Sequence, residues 1–496
     1  MGVAGVVLTG VWGWSQHAEA RRQANAEASA RRHLISMLEV STGPMADQLE
    51  QLGRLAVFDS LDTAVERALA EYAPEVRDPA FRAIEARYWD SRGIRLAARG
   101  KREEAYQAFV TARLRWLALG KRVESVLSGV KAAEQQWQQG RVGAMAKTIE
   151  QTRPPQPSPG MEGQMIDTVI ETAAARALLL RGLLTEATRR LDAVIPRIAS
   201  LLAGPLPEGS MRVMLLGTQT AALTSLSEAQ IQRGDFLKAE AAGSRSLEII
   251  RQLRRIEPGN FRNATLEARA LMMMVKIAGY RKLYVVKHDL LETQRSFVQG
   301  LQHRDPANVV WRGLLAASLG QSGSAQMEAG NPQEAMSSLR EAARLMIEVA
   351  ETDPTNEMWQ WDAAGYLLQA GYGLTRLNQH VEAESYFRRA VERMMLFAGI
   401  PDSPSADRLY GLSAAIGNLG DCLKRQNRPD DAVTHYQALI DHAAVARGAA
   451  WIFIAAVAGH EIAEVERARG SLADAITRHR AAFPLWRRFF ASLQEP

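Results

Sequence analysis

The sequence predicts an all-α protein, an α-solenoid in which antiparallel helix pairs stack into a superhelix, with a hydrophobic helix at its N-terminal end. Three observations predict it. The 496 residues are 47% apolar but only 6% aromatic, and they lean on Ala, Leu, Arg, Glu and Gln. These are strong helix formers, and the long Val, Ile and Thr runs of sheets are missing. Second, the joints Glu257-Pro258-x-Asn260, Asp305-Pro306-x-Asn308 and Asp353-Pro354-x-Asn356 stand 48 residues apart each time. Third, further columns keep that interval: Trp311 with Trp359, Gly323 with Gly371, Ala335 with Ala383, Leu339 with Phe387, and Ala342 with Ala390. The next unit, with Gly420, Ala432 and Tyr436, is shifted by one residue. A repeat array buries its core between neighbours, so the length does not require the usual division at about 100–200 residues per domain.

Charge excludes several classes. Charged residues are 23% of the chain, too few for a disordered tail and too many for a polytopic membrane protein. The balance of 60 basic and 55 acidic residues gives a net +5 spread without a block or stripe, so nucleic acid is not the expected partner. The excess of Arg over Lys reads as the codon bias of a GC-rich bacterium. The single cysteine, Cys422, excludes an intramolecular disulfide and a Cys-rich zinc module.

Taken in order, residues 1–14 are apolar or small apart from Thr9. As a helix they would reach roughly 21 Å, short of a hydrocarbon core of ~30 Å. They lack the basic start and small-residue cleavage site of a secretory signal. Trp12 and Trp14 follow, then Arg21, Arg22, Arg31 and Arg32. The segment reads as the later part of a membrane anchor, and the alternative is a hydrophobic helix packed on the protein. The expected location is therefore membrane-associated in a bacterium, with the body on the cytoplasmic side by the positive-inside rule. A more basic stretch upstream would reverse that.

Residues 15–80 form an Ala- and Arg-rich helix and a helical junction, and residues 81–150 the first repeat-like units. A Pro-rich joint at 151–164 (Pro154, Pro155, Pro157, Pro159) is a flexible division, because proline cannot continue a helix. One unit occupies 165–210, and the main array covers 211–482. Residues 483–496 form a C-terminal capping helix whose face Leu485, Trp486, Phe489, Phe490 and Leu493 covers the last unit, with Arg487 and Arg488 outward. In each Asp/Glu-Pro joint, the acid is expected to cap the next helix with Pro at its first position. Gly330, Asn378 and Asn427 turn the chain back.

The run Trp89, Gly93, Leu96, Gly100, Ala105, Phe109, Ala112 resembles the tetratricopeptide (TPR) pattern of large residue, small residue, large residue, turn, Ala, aromatic and Ala. Good matches recur over Leu319–Ala342, Leu367–Ala390 and Ile416–Leu439, and weaker ones centre on Ala187, Ala239 and Ala475. The resemblance covers roughly residues 81–490. It implies a solenoid that recognises peptides or proteins of many kinds. Long repeats behind an anchor-like segment further resemble the C-terminal arms of multidomain bacterial signalling and defence proteins.

Enzymatic chemistry finds no foothold, and no cofactor or metal is expected. His460-Glu461-x-x-Glu464 lacks the second histidine of the zinc-protease helix, so His460 reads as a groove residue. His435 and His442 share a helix face without a carboxylate between them. Cys422 reads as a small half-buried packing residue, Gly100-Lys101 and Gly120-Lys121 lack the spacing of a phosphate loop, and Met272–Met274 is core filler. The TPR clamp for a C-terminal carboxylate would fall on Leu368, Tyr372, Asn418, Val457 and Glu461, of which only Asn418 fits.

The candidate peptide groove is lined by first-helix residues of the last units: Tyr372 and Arg376, then Asn418, Asp421, Lys424 and Arg425, then His460, Glu464 and Arg467. Mixed charge suits a peptide carrying both signs, and merely solvated helix faces are the competing reading. The expected function is a non-enzymatic, membrane-tethered interaction scaffold or sensing arm. The alternative is a regulatory subunit whose groove takes a short peptide and switches a partner effector.

Overall fold

The computed structural model describes residues 29, 32–40, 42, 58–71, 79–154, 160–204, 209–354, 356–396, 406–445 and 449–492. The expected N-terminal hydrophobic helix over 1–14 lies outside them. Every regular element among the described residues is a helix. A segment over 32–40 (α1) and α2 (Phe58–Glu71) precede nine helix pairs. The pairs are α3 (Pro79–Ala98) with α4 (Arg102–Ala118), α5 (Arg122–Gln138) with α6 (Val142–Thr152), and α7 (Gly160–Leu180) with α8 (Leu184–Ala203). Next come α9 (Gly209–Gln232) with α10 (Phe236–Ile256), α11 (Phe261–Tyr280) with α12 (Tyr284–Arg304), and α13 (Val309–Glu328) with α14 (Pro332–Thr352). The last three are α15 (Glu357–Arg376) with α16 (His380–Met395), α17 (Ala406–Arg425) with α18 (Pro429–Val445), and α19 (Ala449–Ala468) with α20 (Leu472–Ser492).

One residue reverses the chain inside each pair. Gly100, Gly140, Gly182, Gly234, Lys282, Gly330, Asn378, Asn427 and Gly470 all have left-handed φ between +57° and +84°. From Gly234 through Lys282 and Gly330 to Asn378 these turns are 48 residues apart. The next residue donates its N–H to the carbonyl five residues back, as in Lys101 to Leu96 (3.0 Å) and Gln379 to Leu374 (2.9 Å). That bond satisfies a carbonyl the helix end would otherwise leave open.

The joints between pairs correct the expected capping. The caps are Asn308 and Asn356, whose side chains each accept from the N–H of the tryptophan three residues on (Trp311 and Trp359, 3.2 Å). Asn260 accepts from Arg262 (3.0 Å) and Asn263 (3.3 Å). The acids instead close the preceding helix, with Asp305 also accepting from the N–H of Ala307 at 3.1 Å. The reason is steric. Proline disfavours helical backbone in the residue before it, so the acid stays outside and the cap of the next helix comes three residues later.

Pairs close by one repeated contact. A Cβ added to Gly93 would come within 2.7 Å of Phe109, one on Gly323 within 2.6 Å of Leu339, and one on Gly371 within 2.6 Å of Phe387. At Gly420 it would overlap Tyr436. The large partner always lies sixteen residues after the small one, and Phe109, Leu339, Phe387 and Tyr436 are all 2% exposed or less. The largest core cluster runs from Val309 to Phe489, through α13 to α20. Another, from Val126 to Ala177, joins α5 and α6 to α7 across the Pro-rich stretch. At the other end, Leu34, Leu38, Val65 and Leu69 pack with Phe81 and Tyr88, and Asp62 accepts from Arg95 at 2.7 Å.

At the C-terminal end, Phe489 is buried and Leu485 and Trp486 half-buried, with Phe489 5.1 Å and Trp486 5.7 Å from the Phe453 ring. Phe490, expected on that inward face, is 56% exposed and joins Leu472, Ile476 and Phe483 on the outer side.

The membrane-associated location is corrected. Among the described residues no helix is long and apolar enough to cross a membrane. Even α19, which starts as an apolar run, carries His460, Glu461, Glu464, Glu466 and Arg467 along its second half.

The pair contact sets the scale for packing variants. Phe387→Ala should cost about 3–5 kcal/mol and Asn356→Ala about 1 kcal/mol in chemical denaturation. A cost below about 1 kcal/mol for Phe387→Ala would show that the small–large crossing does not hold the pair.

Candidate binding groove

The array winds far enough to meet itself. Gly100, in the α3–α4 turn, lies so close to the joint before α15 that a Cβ would overlap the Trp359 ring and sit 3.3 Å from Thr352 Oγ1. Arg102 stacks on the same ring, its Cζ 4.9 Å from the centroid, and donates to Gln135 Oε1 at 3.1 Å. Arg102 is only 5% exposed, and among the described residues no carboxylate lies at ion-pair distance from it. Burial, with Arg269 nearby, lowers its guanidinium to about 10, against the pull of Glu134 and Asp353. It is still charged at neutral pH.

These contacts identify the inner surface. Arg262 on α11 reaches Glu134 on α5 at 4.0 Å, although two pairs of the array separate their own. The surface between is the superhelix interior, lined by first helices. Burial alone would raise the Glu134 carboxyl, but the guanidiniums of Arg262, Arg176, Arg269 and Arg102 outweigh it and hold the group below the usual range. Burial lowers Arg269, and Arg176 and Arg262 add to this while Glu134 and Glu228 oppose it. Arg176 also lies 3.9 Å above the Trp137 ring.

The turn residues serve as a ruler along this surface. Six residues before each one stand Ile94, Glu134, Arg176, Glu228, Lys276, Ser324, Tyr372, Asp421 and Glu464. From Glu134 to Lys276 the charge alternates in sign over four successive first helices. Beyond them Ser324 donates to Gln369 at 3.2 Å, and Tyr372 is 47% exposed.

The sequence-derived groove residues occupy the far end of the same surface. Arg376, Asp421, Arg425, His460 and Arg467 are exposed, and Asn418, Lys424 and Glu464 are half-buried. Lys424 holds Asp421 at 2.6 Å and lies 4.0 Å from Glu461 on the next first helix. Glu464 is bound by Arg467 at 2.7 Å, and the His460 ring lies 5.1 Å from that of His479 on α20. Arg102, Glu134, Arg176, Glu228, Arg262 and Arg269 belong to this surface too, but they lie outside the last units from which the sequence-derived groove is drawn.

Cys422 is buried and His435 half-buried. Cys422 is 1% exposed, not half-buried, and donates to the carbonyl of His380 at 3.0 Å. Burial raises its thiol. Burial and the neighbouring Arg388 lower His435 to about 4.

No protein-family model matches the sequence, and comparison with curated proteins gives no match. Solved structures give low-identity likenesses. BtubC (BKLC) from P. vanneervenii is 15% identical, over 53% of this chain and 93% of that one, with a TM-score of 0.37. A Rap protein complexed with Competence and Sporulation Factor is 12% identical over 74% and 97%, with a TM-score of 0.38. A monomeric IFIT1 mutant with m7Gppp-AAAA is 12% identical over 91% and 100%, with a TM-score of 0.34. The TPR-like helical-repeat fold rests on this chain's own turns and columns.

Two outcomes follow. Trp359→Ala should open the contact between the first and seventh pairs and raise the radius of gyration in solution scattering. An unchanged radius would mean that this contact does not set the pitch. Because His435 is held neutral when folded, the unfolded chain takes up its proton first as pH falls. Stability should therefore decline from about pH 6.5 towards pH 4, and His435→Gln should flatten that slope in pH-dependent denaturation.

Proposed function

We propose that this chain is a non-enzymatic recognition scaffold that binds a partner protein through an extended segment of mixed charge laid along the superhelix interior. The observation that carries this reading is the alternation Glu134, Arg176, Glu228, Lys276 along one inner column. Rigid helices hold these charges at fixed spacing, so little side-chain order has to be gained on binding. An extended peptide with alternating signs places each of its charges opposite an unlike one, whereas a polyanion meets Glu134 and Glu228 at every other step. That favours a peptide over nucleic acid. Tyr372 adds an exposed ring at the end of the charged stretch. Burial raises the Cys422 thiol and lowers the basicity of His435, which makes the first a poor nucleophile and the second a weak base and supports binding over catalysis.

Selection from a displayed peptide library against the full chain tests the proposal. Lys276→Glu and Tyr372→Ala change exposed side chains and should leave helix content intact. Each should weaken selected peptides by about tenfold, and the Lys276 effect should shrink at high salt as exposed charges are screened. Peptide affinities indifferent to both substitutions, or capture of nucleic acid with no peptide selected, would sink the proposal.

A further inference from the structure

The column that closes the helix pairs, which holds a glycine at Gly243 in the fourth, carries an imidazole at its last member. Nine residues after the turn stand Phe109, Leu339, Phe387 and Tyr436, each buried against its first helix. The same position after Gly470 is His479, whose side chain remains 42% exposed. An imidazole there forgoes the core contact that its equivalents make.

What it meets is specific. His460 and Glu464 lie one turn apart on α19, so their side chains stack on one face. The Gly470 turn folds α20 back so that His479 stands across from both. Its Nε2 is 3.6 Å from Glu464 Oε1, its ring is 5.1 Å from that of His460, and one ligand atom from each residue falls within a 4.8 Å set. The second histidine missing from the His460-Glu461-x-x-Glu464 stretch thus arrives from the facing helix. Arg467 holds Glu464 Oε2 through Nη2 at 2.7 Å and Nε at 3.0 Å, which leaves Oε1 turned towards His479.

We propose that His460, Glu464 and His479 form a divalent transition-metal site of the zinc type that ties α19 to α20. Ligand atoms around a tetrahedral zinc, with bonds of about 2.0–2.1 Å, stand roughly 3.4 Å apart. The set must therefore draw in by up to about 1.4 Å, within reach of side-chain rotation because all three groups are at least partly exposed. Two imidazoles and one carboxylate suit zinc, cobalt or nickel, whereas calcium and magnesium want an all-oxygen shell. Three protein ligands leave one position open towards the groove. Bound metal joins the two helices of the terminal pair, whose outer side no further helix covers among the described residues, and so stabilises the end of the array by mass action.

Calorimetric titration of zinc chloride into the metal-free full chain tests this, with cobalt absorbance as a second readout. One ion per chain is expected, with an intense visible cobalt band of the four-coordinate kind and no response to magnesium or calcium. The melting temperature should rise with zinc concentration. His479→Phe restores the hydrophobic residue of the column, so it should fold normally, yet it should weaken zinc by at least about tenfold. His460→Ala should do the same, and His303→Ala, an exposed histidine elsewhere, should not. Absence of saturable zinc binding at about 100 μM, or equal binding by wild type and His479→Phe, would overturn the proposal.

Discussion

The close crossing of two antiparallel helices at a residue without a side chain is the constraint on which the rest depends. At Gly93, Gly323, Gly371 and Gly420 the space a Cβ would fill is taken by a ring or a leucine from sixteen residues further on. The fixed interval requires a fixed turn, which is why a left-handed residue recurs seven residues after each of these glycines. Helix length, reversal and core filling are thus three views of one geometric condition. Each pair still cannot bury its apolar sides alone, so stacking continues from pair to pair.

Much of this was legible in the sequence because it is periodic. Gly323 with Gly371, Leu339 with Phe387 and the turns at Gly330 and Asn378 repeat at an interval that needs no tertiary knowledge. The joints were misread locally: acid, Pro and Asn can all sit near a helix start, and only the backbone at Asn308 and Asn356 decides which residue caps. The meeting of Gly100 and Arg102 with Trp359 leaves no local trace, because the superhelical pitch is a small rotation summed over six pairs. Cys422 stands two residues after the crossing glycine Gly420, and its burial is set by the contact with the His380 carbonyl on the preceding pair, which the local sequence does not show. The inner column was within reach of sequence reasoning, since it runs at a constant offset from the turns. Glu134, Arg176 and Glu228 escape a groove drawn from the last units alone.

The interior electrostatics show how charge is kept inside a narrow passage without a large penalty. Glu134 is drawn below the ordinary carboxylate range by four guanidiniums, and Glu134 and Glu228 in turn favour the charged form of Arg269. Four guanidiniums against two carboxylates leave this lattice positive on balance and strongly polar at short range.

A solenoid whose pairs touch only their neighbours behaves as a helical spring, with a pitch that any end-to-end force can change. The Trp359 contact clips one coil of that spring to another: Gly100 and Trp359 are 259 residues apart in the chain and in van der Waals reach in space. The coils so clipped are held at a set separation, and widening it requires breaking the clip outright. Pitch is then fixed by one contact between distant pairs as well as by the sum of small steps between neighbours.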